Sequence, residues 1–284
     1  MKKFVLFLSV FISFCTFGQT QDIKEISLLR AQADSLHSIG KSDSAIMIGE
    51  KAITLSKKIN NKVQIMGTLA GQGVYLRSVG RIEDALKSYG AAMEIATSKE
   101  FRNKPSQEAI EEIASLYINM AVLDLDMQHK DEAATNAVKA GEWCEKSKDP
   151  EFKATVLGVV GSVLTGCGKL EEASKYQSLA YSNAKEAGDD EASFRAAAYA
   201  MLISDRSGDK SKTEEWRKIC RNLLPEMESL MAKLVYYQAE CSICLKNDDK
   251  KGSLEWFDKI INSEGIDNLP FVKFAYRLCR TWRL

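Results

Sequence analysis

Residues 70–96 read AGQGVYLRSVGRIEDALKSYGAAMEIA. On the C-terminal side of Gly80, Ile82, Leu86, Tyr89, Met93 and Ile95-Ala96 recur at the three-and-four spacing of a helix with one apolar face. Small residues stand at Gly73, Ala85 and Ala92. Gly73 and Ala85 lie twelve apart across the Gly80 turn, where they let two antiparallel helices approach closely. Local pattern and small-residue placement together predict a helical hairpin.

Stepping outward from Ala85 in strides of forty shows that the hairpin repeats. Ala45 and Ala85 are joined, after an offset of eight, by Ala133, Ala173, Thr213 and Ser253. The extra eight residues fall near Lys99–Ser106, a polar stretch that contains Pro105. A turn column runs in step through Gly40, Gly80, Gln128, Gly168, Gly208 and Asp248. One further small column holds Ala33, Gly73, Ala121, Gly161, Met201 and Cys241, and another holds Ala52, Ala92, Ala140, Ala180, Cys220 and Ile260. Nothing alternates with period two for long enough to make a strand. The four prolines, Pro105, Pro150, Pro225 and Pro270, all lie between repeats, where none breaks a helix interior. Asp149-Pro150-Glu151 has the order of an N-cap, a first-turn proline and an acidic first turn.

Small residues at the eighth position, a turn glycine at the fifteenth and alanines at the twentieth and twenty-seventh resemble the tetratricopeptide repeat. Residues 70–96 and 158–184 carry the resemblance best, and it covers roughly residues 24–263. Three departures accompany it: a period of forty rather than thirty-four, Thr213 and Ser253 in the alanine column, and no aromatic at the fourth position. The long period is similar to that of repeats in light-chain motor adaptors and bacterial peptide sensors. The resemblance implies an all-α, right-handed α-α superhelix of about six hairpins. The repeats are expected near 26–60, 66–100, 114–148, 154–188, 194–225 and 234–263 within a domain of residues 19–268.

Composition narrows the function classes. The 284 residues are 45% hydrophobic and 27% charged, which excludes a disordered or disulfide-stapled chain. Lys+Arg and Asp+Glu are both 39, without the basic stripe that a nucleic-acid binder needs. At the N-terminus Lys2 and Lys3 precede an apolar run, Phe4–Phe17, that ends in Thr16-Phe17-Gly18 before Gln19. That order is expected of a secretory signal over residues 1–18. The run is short of the roughly 20 residues that span a bilayer. A retained anchor, or lipidation at Cys15 despite the bulky Phe14 before it, are the alternatives. Without Lys2 and Lys3 the chain carries a formal charge of −2, and no later segment is apolar enough to span. The expectation is an exported, periplasmic protein with no transmembrane helix in its mature form.

Residues that could carry chemistry have simpler explanations at hand. Cys241 and Cys244 have CxxC spacing, yet both fall on inward positions of the sixth repeat, and Cys220 occupies a small-residue column. Buried thiols acting as small hydrophobes explain them, with a disulfide as the alternative in an exported protein. His37 and His129 belong to the first and third repeats, and nothing assembles them into a nucleophile and base. The runs EAIEEIASL and EEASKY have the spacing of solvated helix faces. Trp143, Trp216 and Trp256 lie on second helices as structural positions. No GxxxxGK[ST], GxGxxG or HExxH is present. No catalytic residue, metal ligand or cofactor is therefore expected.

The resemblance implies a concave face lined by first helices, at positions two, five, nine, twelve and thirteen of each repeat. In this register it includes Arg30, Asp34, His37, Arg77, Asn119, Asp126, Thr165, Arg195, Asp205, Arg206, Gln238 and Lys246. Such cationic and amide groups could hold an extended peptide or a partner helix by charge-assisted hydrogen bonds. In residues 269–284, Phe271, Phe274, Leu278 and Trp282 share one helical face, which Lys273, Arg277, Arg280 and Arg283 avoid. A terminal cap, an interrupted seventh repeat or a lipid-touching segment are the readings of that stretch. The resulting expectation is a non-catalytic scaffold that binds a protein or peptide. The alternative is the periplasmic sensor portion of a bacterial signalling regulator, separated from its membrane helix and output domain.

Overall fold

The computed structural model of the chain describes residues 2–268, with side chains from residue 20 onward apart from those of 102 and 268. The expected cap at 269–284 lies outside the described residues, as do the side chains of the expected signal segment. Thirteen α-helices are described: α1 (Lys2–Ser38), α2 (Ser42–Lys58), α3 (Lys62–Ser78), α4 (Ile82–Ala96), α5 (Lys99–Asn103), α6 (Gln107–Asp126), α7 (Lys130–Cys144), α8 (Pro150–Gly166), α9 (Leu170–Ala187), α10 (Asp190–Arg206), α11 (Lys210–Leu223), α12 (Leu230–Lys246) and α13 (Lys250–Ile261). No strand occurs among the described residues. The chain forms two compact units, residues 1–123 and 124–284. The first packs α1 on α2, α2 on α3 and α3 on α4; the second packs α8 on α9, α9 on α10, α10 on α11 and α12 on α13. These helices pack on their sequence neighbours, as antiparallel hairpins require. The eight extra residues of the third repeat are taken up by α5 and its flanks.

The turns explain why hairpins form where they do. All six members of the turn column have positive φ: Gly40 (77°), Gly80 (77°), Gln128 (64°), Gly168 (79°), Gly208 (80°) and Asp248 (56°). At each of them two backbone bonds close the preceding helix. Gly80 N–H donates to the Arg77 carbonyl (3.0 Å) and Arg81 N–H to the Leu76 carbonyl (2.9 Å), and the other five turns repeat the pair. This is the Schellman closure, which satisfies carbonyls that a helix end would otherwise leave unpaired. Several other helices start on side-chain caps. The Asp149 carboxylate accepts from Glu151 N–H (2.9 Å) and Phe152 N–H (3.3 Å), with Pro150 in the first turn. Asp189, Asp209, Ser229 and Asp249 likewise cap α10, α11, α12 and α13.

Packing explains why the hairpins stay closed. Every member of the three small-residue columns is buried, including the divergent Thr213 (5% exposed) and Ser253 (2%). The first small column is paired in size with the residue sixteen positions on. A Cβ added to Gly73 would stand 2.3 Å from the Tyr89 ring, and one added to Gly161 would stand 2.8 Å from the Gln177 amide. In the first repeat the pair is Ala33 with Gly49, and Gln72 of the next hairpin fills the space over Gly49 and donates to the Ile46 carbonyl (3.3 Å). Cys220 and Cys241 are buried, and no disulfide joins the five described cysteines.

Gly80 has open space around its α-carbon, so its replacement tests the backbone alone. Gly80→Ala should lower stability in urea unfolding by about 1 kcal/mol, the penalty of a left-handed L-residue. Gln128→Gly should raise it by roughly 0.5–1 kcal/mol, because glycine's greater unfolded-state freedom offsets part of the relief.

Candidate functional site

The first helices α1, α3, α6, α8, α10 and α12 carry the residues expected to face a partner, and the two compact units use them differently. Within residues 1–123 the polar groups hold one another. Arg30 on α1 pairs with Glu112 on α6 (2.5 Å), and Gly67 of α3 makes room, since a Cβ there would stand 2.5 Å from the Glu112 carboxyl. Burial alone would lower the Arg30 pKa, but the charge and hydrogen bond of Glu112 outweigh it and the guanidinium stays charged. Gln64 donates to Glu108 on the same strip. Tyr75 donates to Asp34 (2.6 Å), and burial first, then that bond, raise the phenol's pKa. The His37 ring, 5.5 Å from that of Tyr75, shares a hydrogen bond with Ser42 (3.0 Å). Arg77 and Asn119 are half-buried on α3 and α6.

The run EAIEEIASL, expected as a solvated face, contributes Glu112 to this strip instead, with its side chain only 13% exposed. The charge spacing was that of an outer surface. The counter-charge Arg30, however, lies 82 residues away and draws the carboxylate inward.

Within residues 124–284 Lys246 of α12 pairs with Asp205 of α10 (3.0 Å), so two expected ligands of a partner hold each other. Thr165 donates back to the Gly161 carbonyl (2.7 Å), and Arg195 lies 3.7 Å from Glu191. Asp126 is exposed at the end of α6. Arg206 and Gln238 are exposed beside each other on a cleft of about 380 Å³ between α10 and α12. Its walls include Tyr199 and Leu202 from α10 and Val235 and Leu245 from α12. These are the register positions five to thirteen of one repeat and two to twelve of the next.

A buried ionic cluster between α11 and α12 escaped the sequence reading. The Arg217 Nε donates to both oxygens of Glu240 (2.9 and 3.0 Å), and Tyr236 donates to the same carboxylate (2.8 Å). Glu240 is 3% exposed, and Glu214 pairs with the outer edge of the guanidinium. Burial opposes the Arg217 charge, yet Glu240 raises its pKa overall, while burial and Glu240 together raise that of Tyr236. The signal was present: Arg217 occupies the inward column that elsewhere holds Gly49, Tyr89, Ala137, Gln177 and Phe257. A cation in that column needs a buried anion from the next hairpin.

Burial, then Glu240, pushes the Cys220 thiol up to about 12. Burial, then Asp249 and Glu240, pushes Cys244 up to about 11. No group of three or more His, Cys, Asp or Glu side chains suited to a metal ion occurs among the described residues. No described helix is long and apolar enough to cross a membrane.

Comparison with solved structures places this geometry among known folds. The chain is similar to BtubC (BKLC) from P. vanneervenii, with 16% identity, a TM-score of 0.58, and 73% of this chain aligned to 81% of that one. It is also similar to the apo form of RapI, with 10% identity, a TM-score of 0.61, and 91% of this chain aligned to 74% of that one. The fold is tetratricopeptide-like. At these identities the likeness is one of helical-hairpin architecture and does not extend to a ligand. No model of a protein family and no curated protein matches the sequence.

The buried cluster yields a stability test. Glu240→Ala strands the Arg217 charge and should cost about 3 kcal/mol in urea unfolding. Arg217→Met combined with Glu240→Leu should recover most of that loss, because an apolar pair of similar volume needs no counter-charge.

Proposed function

We propose that this chain is an exported, non-catalytic scaffold that binds a protein or peptide through the exposed face of its first helices. The observation that carries this reading is the α10–α12 cleft. It combines apolar walls with two exposed polar groups, Arg206 and Gln238, in the way that recognition sites combine burial with a few orienting contacts. The helices around it are fixed by Schellman turns and buried small-residue columns, so the cleft is formed before a partner arrives. A preformed site spares the ordering entropy that a flexible one loses on binding. Export is supported by the N-terminal order of Lys2, Lys3, the apolar run Phe4–Phe17 and Gly18.

Selection of random peptides against the purified chain tests the binding role. Enriched peptides should bind by fluorescence anisotropy and lose at least tenfold in affinity when Leu202→Glu places a charge on the cleft wall. Peptides that bind that variant undiminished, while circular dichroism shows it folded, would overturn the assignment of this face. Export has its own check: mass spectrometry of the protein recovered from a periplasmic fraction should find Gln19 as the new N-terminus.

A further inference from the structure

We infer that the α10–α12 cleft selects an extended partner segment in which an acidic side chain and a bulky apolar side chain lie two residues apart. This deepens the binding role proposed above and rests on it. The argument starts from which polar groups are already engaged. In residues 1–123 Arg30 is held by Glu112, Asp34 by Tyr75 and His37 by Ser42. In residues 124–284 Lys246 is held by Asp205. Arg206 and Gln238 differ, because no hydrogen bond or ion pair within the chain engages either side chain among the described residues. Both lie on the cleft, and among the described residues that line it Arg206 is the one with a charge. It brings a positive charge that no carboxylate among the described lining residues offsets, so the complementary occupant carries a negative charge at that end.

Geometry supplies the second half of the motif. Leu202 and Arg206 are four residues apart on α10, a rise of about 6 Å. Alternate residues of an extended chain are separated by roughly 6.6 Å and point to the same side. A carboxylate at Arg206 therefore sets the residue two along over Leu202 and Val235, which are half-buried and form an apolar seat. The Gln238 amide, a donor and acceptor together, is placed to meet the segment's backbone. Residues 269–284 of the chain itself fit poorly, because they carry four basic side chains and no acidic one. The same-side spacing is that of two side chains, so the proposal commits to an internal Asp or Glu rather than a chain-terminal carboxylate.

The test uses the full chain and acetylated, amidated hexapeptides of the form Ala-Ala-Glu-Ala-Leu-Ala, with Gln or Lys replacing Glu and Ser replacing Leu. Binding is read by isothermal titration at low salt. The Glu–Leu peptide should bind at least tenfold tighter than the Lys and Ser versions. Arg206→Glu, an exposed substitution, should reverse the order so that the Lys peptide binds better. A Glu preference that persists in Arg206→Glu overturns the proposal. Binding that Leu202→Glu abolishes but that shows no charge preference overturns it too, while leaving the broader peptide-binding role intact. Absence of binding both by this panel and by peptides from random selection overturns both.

Discussion

The distance between paired antiparallel helices is the constraint on which the other features rest. Two helices joined by a short turn can pack their apolar faces only if some residue on the seam is small enough to let the backbones in. Here that residue is Gly73 against Tyr89 and Gly161 against Gln177, each too close for even a methyl group. Where the first partner is larger, as at Ala33, the second shrinks to Gly49 and a side chain of the next hairpin takes the space. The seam thus conserves volume rather than residue type. That explains how Thr213, Ser253 and Cys220 can occupy alanine columns and remain buried. The turn is subordinate to the same constraint. It must reverse the chain within a few residues, and a left-handed residue at six successive turns does so. Asp248 and Gln128 adopt that conformation without glycine's freedom because the packed seam on either side leaves the chain no alternative path.

Charges that enter this apolar scheme do so in pairs. Arg217 stands where other repeats place a ring or a small side chain, and its charge would be costly to bury alone. Glu240 from the next hairpin neutralises it, Tyr236 adds a hydrogen bond to the carboxylate, and the three groups tie α11 to α12 at a defined register. Arg30 and Glu112 act similarly over a longer reach across Gly67. These contacts restrict which hairpin follows which, because a repeat with an unmatched charge in the column would not dock beside them. Apolar columns that are nearly interchangeable from repeat to repeat have no such selectivity of their own.

How much of this was legible in the sequence follows from the range of the interactions. Turn positions and buried columns recur every forty residues and depend on neighbours within one hairpin, so each repeat confirms the others. The positive φ at Asp248 is an example: aspartate alone would not announce it, but its place in a column of glycines does. The partners of charged residues could not be read in the same way. Arg30 and Glu112 are 82 residues apart, and each has closer charges of opposite sign that would have made an equally plausible pair. The expected binding face therefore mixed residues held inside the chain, such as Arg30, Asp205 and Lys246, with residues that are not. Arg217 and Glu240 were charged positions that periodicity could have flagged, because each breaks an inward column.

The distinction between engaged and unengaged groups bears directly on specificity. A guanidinium already bridged to a carboxylate has little to offer a partner, since any new contact must first replace one of equal strength. A guanidinium in water at the rim of an apolar cleft exchanges hydration for a carboxylate, and the apolar side chains beside it exclude water from the bond they flank. Arg206 has those surroundings and Arg30 does not, although both were candidates on equal terms from register alone. In the proposed binding role, selectivity resides in repeats such as that of Arg206, whose first helix leaves a charge without an internal partner. Packing within residues 124–284 fixes the position of the helices that line the cleft, so a substitution at Arg217, which ties α11 to α12, would still alter its walls.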